Sequence, residues 1–402
     1  MQKEIDTFFE DFLDKKSIFT NKKTLQSNFT PETIPHREEQ IQQIADILAP
    51  SLKLDKPSNL FIYGKTGTGK TLSAKHTTNK ILTVAEKRNI PLKVIYLNCK
   101  LKKIADTEYR LIAQISKELG QELPSTGLPT EEVYKITFST IEKEKAMILI
   151  ILDEIDHLVK KTGDEILYNL TRINSELQNS QISIIGISND LIFRDNLDPR
   201  VKSSLSEEEI IFPPYNAIQL QDILKQRAEK SFIKSSISPG VIEKCAAYAA
   251  REHGDARRAL ELLRVAGELT ERKSQEKIEL CDIDNAEDKI EKDRIQDIIK
   301  TQPKQQQAIL YSIISICSQK SNQIFTGEVY ELYKELCIKT GIRPLTQRRV
   351  SDVIAELDML GIINAKVISK GRYGRTRDIG LSIPQPSVQK IKDILEEGLN
   401  LS

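Results

Sequence analysis

The stretch Gly64-Lys65-Thr66-Gly67-Thr68-Gly69-Lys70-Thr71 fits the pattern G-x-x-x-x-G-K-[ST] at every position. It follows the apolar run Leu60-Phe61-Ile62-Tyr63 and leads into a helical pattern, the context that gives this motif its meaning. Glycines let successive backbone N–H groups curl around a polyphosphate, and the helix that starts here adds the positive end of its dipole. Lys70 would place a point charge on the β- and γ-phosphates and Thr71 a hydroxyl on magnesium, with Thr66, Gly67, Thr68, Gly69 and Leu72 completing the cradle. Further along, Ile148-Leu149-Ile150-Ile151-Leu152 ends in Asp153-Glu154. Asp153 suits a magnesium held through water, and Glu154 suits the water that attacks a γ-phosphate. An apolar run ending in acids is weak evidence alone; downstream of a phosphate loop it is strong in combination, and ATP or ADP with Mg2+ are the expected cofactors.

Such groups converge only if a sheet holds them side by side. Leu60–Tyr63, Val94–Leu97, Ile148–Leu152 and Ile182–Ile187 are short, aliphatic and mostly unalternating. They read as strands buried on both faces of a parallel sheet, with the intervening helical stretches as crossovers. Glu209–Phe212, stopped by Pro213-Pro214, reads as a fifth strand. The expected fold is α/β, with the vicinal Asp-Glu pair favouring an AAA+ P-loop domain over a small GTPase. Residues 31–214 form that domain, after an N-terminal arm at 1–30 read as a short helix and a loose tail. Ser188-Asn189 ends the fourth strand, where AAA+ proteins place a polar residue between the γ-phosphate and the glutamate. Arg200 follows, positioned for the γ-phosphate of a neighbouring subunit. From 215 to 300 the pattern is helical, a lid domain with caps such as Ser238 before Pro239, and Arg257 is the residue expected to reach back to the nucleotide. Residues 301–402 give three helices and two β-type runs around Lys370–Arg375, the winged-helix arrangement.

Composition bounds the rest. The 402 residues are 39% hydrophobic and 29% charged, with a net charge of +1, normal for a globular chain of two or three domains. No apolar run approaches the ~18 residues of a membrane span, and the charged N-terminus lacks the apolar core of a signal peptide. A cytoplasmic, nucleoid-associated protein with no membrane partner is expected. Five scattered cysteines with no C-x-x-C pair and four dispersed histidines argue against a disulfide framework or a zinc site.

Four strings together resemble one family: Asp198-Pro199-Arg200-Val201-Lys202-Ser203-Ser204-Leu205, Gly254-Asp255-Ala256-Arg257-Arg258-Ala259-Leu260, Leu345-Thr346-Gln347-Arg348-Arg349-Val350-Ser351 and Lys370-Gly371-Arg372-Tyr373-Gly374-Arg375-Thr376. The chain resembles archaeal replication initiators of the origin recognition complex subunit 1 / cell division control protein 6 family, from roughly Asn28 to Ile383. The resemblance implies that Ile34, Pro35, His36 and Arg37 belong to an N-terminal box over the adenine, and that Tyr215 and Arg227 complete the pocket from the lid. It also implies a DNA-contacting insertion at about 124–140, including Ser125, Thr126, Gly127, Leu128 and Pro129.

Between Ile342 and Arg377 eight Lys or Arg stand against three acids, far from the phosphate loop. Thr346 is placed to N-cap the third helix of the last domain, putting Gln347, Arg348 and Arg349 in its first turn, where a recognition helix meets base edges. Lys370, Arg372, Arg375 and Arg377, with Tyr373 between them, suit backbone phosphates or the minor groove. The expectation is an ATP-dependent replication initiator that binds double-stranded origin DNA sequence-specifically. It hydrolyses ATP slowly, as a switch, and serves a replicative helicase alongside other initiator copies or paralogues. A P-loop/winged-helix transcription regulator is the second reading and predicts an added sensory domain; a clamp-loader-like ATPase predicts a C-terminal collar in place of a basic wing.

Overall fold

The computed structural model describes residues 17–26, 29–100, 107–124, 127–205, 207–319, 324–369, 375–383 and 385–401, in two compact units that divide between Ile283 and Asp284. In the first unit five parallel strands, β1 (Asn59–Tyr63), β2 (Leu92–Asn98), β3 (Met147–Asp153), β4 (Gln181–Ser188) and β5 (Glu207–Ile211), lie in the order β2-β3-β4-β1-β5. Alternation along each strand fills two cores. Phe61, Ile148, Ile150, Leu152, Ile182 and Ile184 face one layer, and Leu60, Ile62, Leu149, Ile151, Ile185 and Ile187 the other. β1 and β3 are buried throughout, which is why their sequences carry no polar–apolar alternation.

Helices α1 (Glu38–Leu48), α2 (Lys70–Arg88), α3 (Glu108–Glu118), α4 (Thr130–Glu144), α5 (Ile155–Thr162), α6 (Glu165–Arg172) and α7 (Pro199–Leu205) belong to the sheet domain. The lid consists of α8 (Ala217–Ser231), α9 (Val241–Arg251) and α10 (Ala256–Arg272). α8 opens with a reciprocal capping box between Asn216 and Gln219, the arrangement that satisfies two orphan amides at once. Ser238 is not a helix cap. α9 begins at Val241 behind Gly240, and the Ser238 hydroxyl donates instead to Glu279 (2.8 Å). The arm, from Ser17 onward, is docked rather than loose. Phe19 stacks on Phe232 with ring centroids 4.7 Å apart, Leu25 is buried, and Thr20 N–H donates to Ser231 O (2.8 Å). Arm residues 1–16 lie outside the described residues.

The second unit begins within α11 (Leu280–Thr301), whose Ile299 packs into that unit's own core. It continues through α12 (Lys304–Gln319), β6 (Ile324–Phe325), α13 (Thr326–Thr340), α14 (Gln347–Met359), β7 (Ile363–Ser369), β8 (Arg375–Leu381) and α15 (Gln385–Leu399). The antiparallel sheet runs β6-β8-β7. Ile309, Ile313, Tyr333, Val350, Ile354, Leu357 and Ile379 form its core, with Ile391 and Leu395 of α15.

Tight packing at the centre of the first sheet gives a direct test. Gly186 of β4 pairs with Phe61 and Leu152, and a Cβ there would sit 2.7 Å from Phe61 Cε1 and 3.2 Å from Ile155 Cδ1. Both neighbours are buried. Overpacking of this kind costs about 1–3 kcal/mol, so Gly186→Ala should lower the urea midpoint with an unchanged slope. An unaltered midpoint would show that the ring has room to move.

Candidate functional site

The carboxyl ends of β1, β4 and β3 lie in register, Tyr63 opposite Ser188 and Asp153 opposite Ile187. This is the crevice where open α/β sheets receive ligands. The chain leaves β1 through the phosphate loop into α2. Gly67 (φ 73°) and Gly69 (φ 92°) hold left-handed conformations. Any side chain on Gly67 would collide with the Asp255 carboxylate, and one on Gly69 would lie 2.8 Å from the Tyr215 hydroxyl. Glycine is therefore required twice, for backbone conformation and for contact with the lid.

A cavity of about 390 Å³ opens at this point. Thr66, Gly67, Thr68, Gly69, Lys70, Thr71 and Leu72 line it, facing Asp153, Glu154 and Asn189 across the sheet ends and Tyr215, Arg227 and Arg257 on the lid side. Lys70 is buried, and its ammonium donates to Gly64 O (2.7 Å), Lys65 O (2.7 Å) and Asn189 Oδ1 (2.9 Å). Burial pulls its pKa down to about 8 against the opposing pull of Asp153. An anion delivered beside it would favour the charged form. Thr71 Oγ1 donates to both Asp153 oxygens, at 3.2 and 3.0 Å. Glu154 follows in the left-handed region at φ 56°, a conformation costing of order 1–3 kcal/mol and concentrated at functional sites. Its Oε2 is buried without a hydrogen-bond partner among the described residues, 3.6 Å from Lys100 Nζ and 3.8 Å from His157 Nε2.

The N-terminal box divides in its roles. Ile34 and Pro35 line the cavity. His36 and Arg37 stand outside its lining. His36 Nε2 meets Asp222 at 3.0 Å, while the buried Arg37 guanidinium donates to Thr68 O (2.8 Å), His36 O (3.0 Å) and Pro213 O (2.6 Å) and stacks 3.8 Å from the Tyr215 ring centroid. Arg227 is likewise buried, over the Phe29 ring at 4.6 Å, with Nη1 donating to Thr24 O. Asp255 caps α10 by accepting from the Arg257 and Arg258 amides, so Arg257 is delivered at a fixed helix start. Arg200 is not brought to the cavity; it is 85% exposed, with Nε donating to Asp198 at 3.2 Å.

Sequence reasoning missed several lining residues, among them Gln26, Phe29, Tyr96 and Lys100, because none belongs to a nucleotide-binding motif. It also passed over Asp156, buried on α5, whose Oδ1 accepts from Ser188 Oγ (3.2 Å) and Asn189 N–H (3.4 Å) and so fixes the end of β4. The run Asp153-Glu154-Ile155-Asp156 carried the signal, one acid too many for a turn.

In the second unit Thr346 N-caps α14, accepting from the Arg349 amide at 3.4 Å, and Gln347, Arg348 and Arg349 are exposed. The segment before the cap is held at two points. Buried Tyr333 accepts from Leu345 N–H (3.0 Å) and donates to Gln305 Oε1, whose amide donates to Arg343 O (2.8 Å). Arg349 is shared with Asp352 (3.8 Å) and Glu356 (3.5 Å); Arg348 has no such partner among the described residues. Arg377 is half-buried on β8, its amide donating to Thr326. Lys370, Arg372 and Tyr373 lie outside the described residues, as do Ser125, Thr126 and the Arg375 side chain. Of the insertion, Gly127 and Pro129 are exposed and Leu128 packs partly against the first core.

Residues 54–191 match the family described as "AAA domain", 221–288 the "Cdc6 AAA+ ATPase-type lid domain" and 297–391 the "CDC6, C terminal winged helix domain". An ORC1-type DNA replication protein of Pyrococcus abyssi is 52% identical over 97% of this chain and 93% of its own length. The chain belongs to the ORC1/Cdc6 family of DNA replication proteins. The family's ORC1-type DNA replication protein 1 of Methanosarcina acetivorans is 48% identical over 96% of this chain and 93% of its own length. The Aeropyrum pernix ORC1 protein, solved in complex with DNA, superposes with a TM-score of 0.82 at 42% identity, covering 95% of this chain and 98% of that one. The AAA domain marks this family member as nucleotide-binding. No helix among the described residues is long and apolar enough to cross a membrane.

Arg37 is the clearest mutational handle on this family member's site. Lysine carries one donor group where the guanidinium forks to three carbonyls, and a buried carbonyl left unmet costs about 1–3 kcal/mol. Arg37→Lys should therefore lower the thermal midpoint and weaken ADP binding together, because Thr68 lies in the phosphate loop. Weakened binding at an unchanged midpoint would instead assign Arg37 to direct nucleotide contact.

Proposed function

We propose that this chain is an ATP-dependent replication initiator that binds double-stranded origin DNA sequence-specifically, with nucleotide state as its switch. The observation that carries the reading is the convergence on one cavity of Lys70, Thr71, Asp153, Glu154, Asn189 and Arg257, in a chain that also displays an N-capped helix headed by exposed arginines. The donor set fits a magnesium nucleotide. Thr71 and Asp153 already meet across the sheet ends and are hard oxygen ligands of the kind Mg2+ prefers. When bound, the cation would neutralise charge between the β- and γ-phosphates. Lys70 and the loop amides hold those phosphates, Asn189 fixes the Lys70 ammonium, and Glu154 orients water.

Slow hydrolysis is supported by the position of Arg200, exposed and engaged with its own Asp198. A γ-phosphate in this cavity receives no arginine from α7 of the same chain, so full stabilisation of phosphoryl transfer awaits a neighbouring copy or paralogue. On the second unit, Arg348 suits a bidentate contact with guanine, and Lys366 and Arg377 on the β-ribbon suit backbone phosphates. The insertion from Ser125 to Pro129 supplies a second DNA contact, and the replicative helicase is the partner the initiator serves.

Competition between origin DNA and scrambled DNA of equal length, at one salt concentration, tests this function. Wild-type protein should prefer the origin, and absence of preference would defeat the initiator reading. Arg348→Ala should cost about 1–3 kcal/mol of that preference with little effect on scrambled DNA; equal loss on both would assign it to phosphates. Lys70→Ala, which removes a charge-assisted contact, should weaken ADP and ATP roughly 10- to 100-fold in direct binding titrations. Retained affinity would remove Lys70 from the nucleotide site.

A further inference from the structure

We propose that Tyr96 is a positioning residue that holds the Asp153 carboxylate for the cation of a bound nucleotide, and so sets how strongly nucleotide affinity depends on magnesium. The inference rests on the nucleotide reading above. β2 and β3 pair in register with Asn98 opposite Asp153, and side chains alternate along a strand. Tyr96 therefore shares a face with Asn98, one pleat behind the acid. Its hydroxyl donates to Asp153 Oδ2 at 2.6 Å, the shortest contact that carboxylate makes. The other oxygen is held by the Glu154 amide at 3.0 Å, and Thr71 donates to both. Fixed donors from two strand ends thus set the plane of the carboxylate, while Thr71 is the member that can turn toward a cation.

The Tyr96 ring is itself held. Lys75 Nζ lies 3.5 Å from its centroid, within the range of a cation–π contact. Thr71 and Lys75 are four residues apart on α2 and so share a helix face. One helix therefore presents a hydroxyl to Asp153 and an ammonium to the ring that orients Asp153. Thr71, Asp153, Tyr96 and Lys75 close a loop across α2, β3 and β2. Phenylalanine would keep the ring and the Lys75 contact but delete the one donor to Oδ2 besides Thr71 among the described residues, leaving the carboxylate free to rotate toward Thr71. Outer partners of this kind typically change metal affinity 10- to 100-fold.

The test is a fluorescence titration of full-length protein with a mant-labelled ADP, in EDTA and across a magnesium series. In wild type, magnesium should strengthen binding. Tyr96→Phe should raise the half-saturating magnesium concentration roughly 10- to 100-fold while leaving the EDTA affinity unchanged. Lys75→Met should shift it the same way by less, since it frees the ring and spares the donor. Equal loss in EDTA and magnesium would make Tyr96 a packing residue, and an unmoved magnesium midpoint would remove it from the site; either overturns the proposal. Wild-type protein that binds no nucleotide, or binds it without regard to magnesium, would instead overturn the nucleotide reading beneath it.

Discussion

The parallel pairing of β1, β4 and β3 is the constraint on which the nucleotide site depends. Parallel strands end on the same side, so the loop after β1, the acids after β3 and the Ser188-Asn189 pair after β4 emerge within reach of one another. Register does the rest. A one-residue slip would turn Asp153 to the opposite face and exchange the two hydrophobic cores that now cover the sheet. The aliphatic run of β3, buried at every position, makes such a slip costly in both cores at once. The chemistry is thus fixed by residues that never touch a ligand.

The lid is tied to this sheet by polar contacts. Arg37 joins the N-terminal box, the Thr68 carbonyl and the Pro213 carbonyl through one planar cation, and Tyr215 stacks on it from the linker to α8. Gly67 N–Cα–C and the Asp255 carboxylate are so close that no side chain fits between them, and Ala256 N–H donates to Gly67 O. The loop proposed to cradle phosphate is therefore the loop that meets the start of α10. A change in the loop reaches Arg257 through a single turn of helix, without a chain of intermediaries.

Much of this was legible in the sequence, for physical reasons that also mark its limits. Doubly buried strands and a phosphate loop are local patterns, and so is Thr346 before Gln347-Arg348-Arg349; each was readable residue by residue. β6 spans two residues, too short for any period to show. α15 has its apolar residues at Val388, Ile391, Ile394, Leu395 and Leu399, a helical stripe that follows the winged-helix motifs and carries no chemistry-bearing pattern. Ser238 misled because Ser-Pro is a common helix opening, whereas its hydroxyl is taken by a glutamate forty-one residues away. Tyr96 and Asp156 act through partners on other strands and helices, and no spacing along the chain encodes such a partner. The wing tip at 370–374 lies outside the described residues, so its basic residues rest on the sequence.

The adjacent arginines of α14 differ in their contacts. Arg349 lies three and seven residues before Asp352 and Glu356, which places all three on one helix face, and Gln306 Nε2 donates to the Glu356 carboxylate from α12. Its charge is thus partly answered within the unit. Arg348, four residues before Asp352, makes no such ion pair among the described residues. Any polyanion approaching the start of α14 meets one cation already paired and one that, among the described residues, is not. Breaking the exposed contacts of Arg349 costs little in water, where such pairs are worth about 0–1 kcal/mol, but it costs the same against every sequence. A charge that must first be released adds affinity without adding discrimination, whereas an uncommitted fork can be matched to a base edge. In the proposed DNA-binding role, discrimination between sequences would fall to Arg348, with Tyr333 and Gln305 fixing the segment from which it projects.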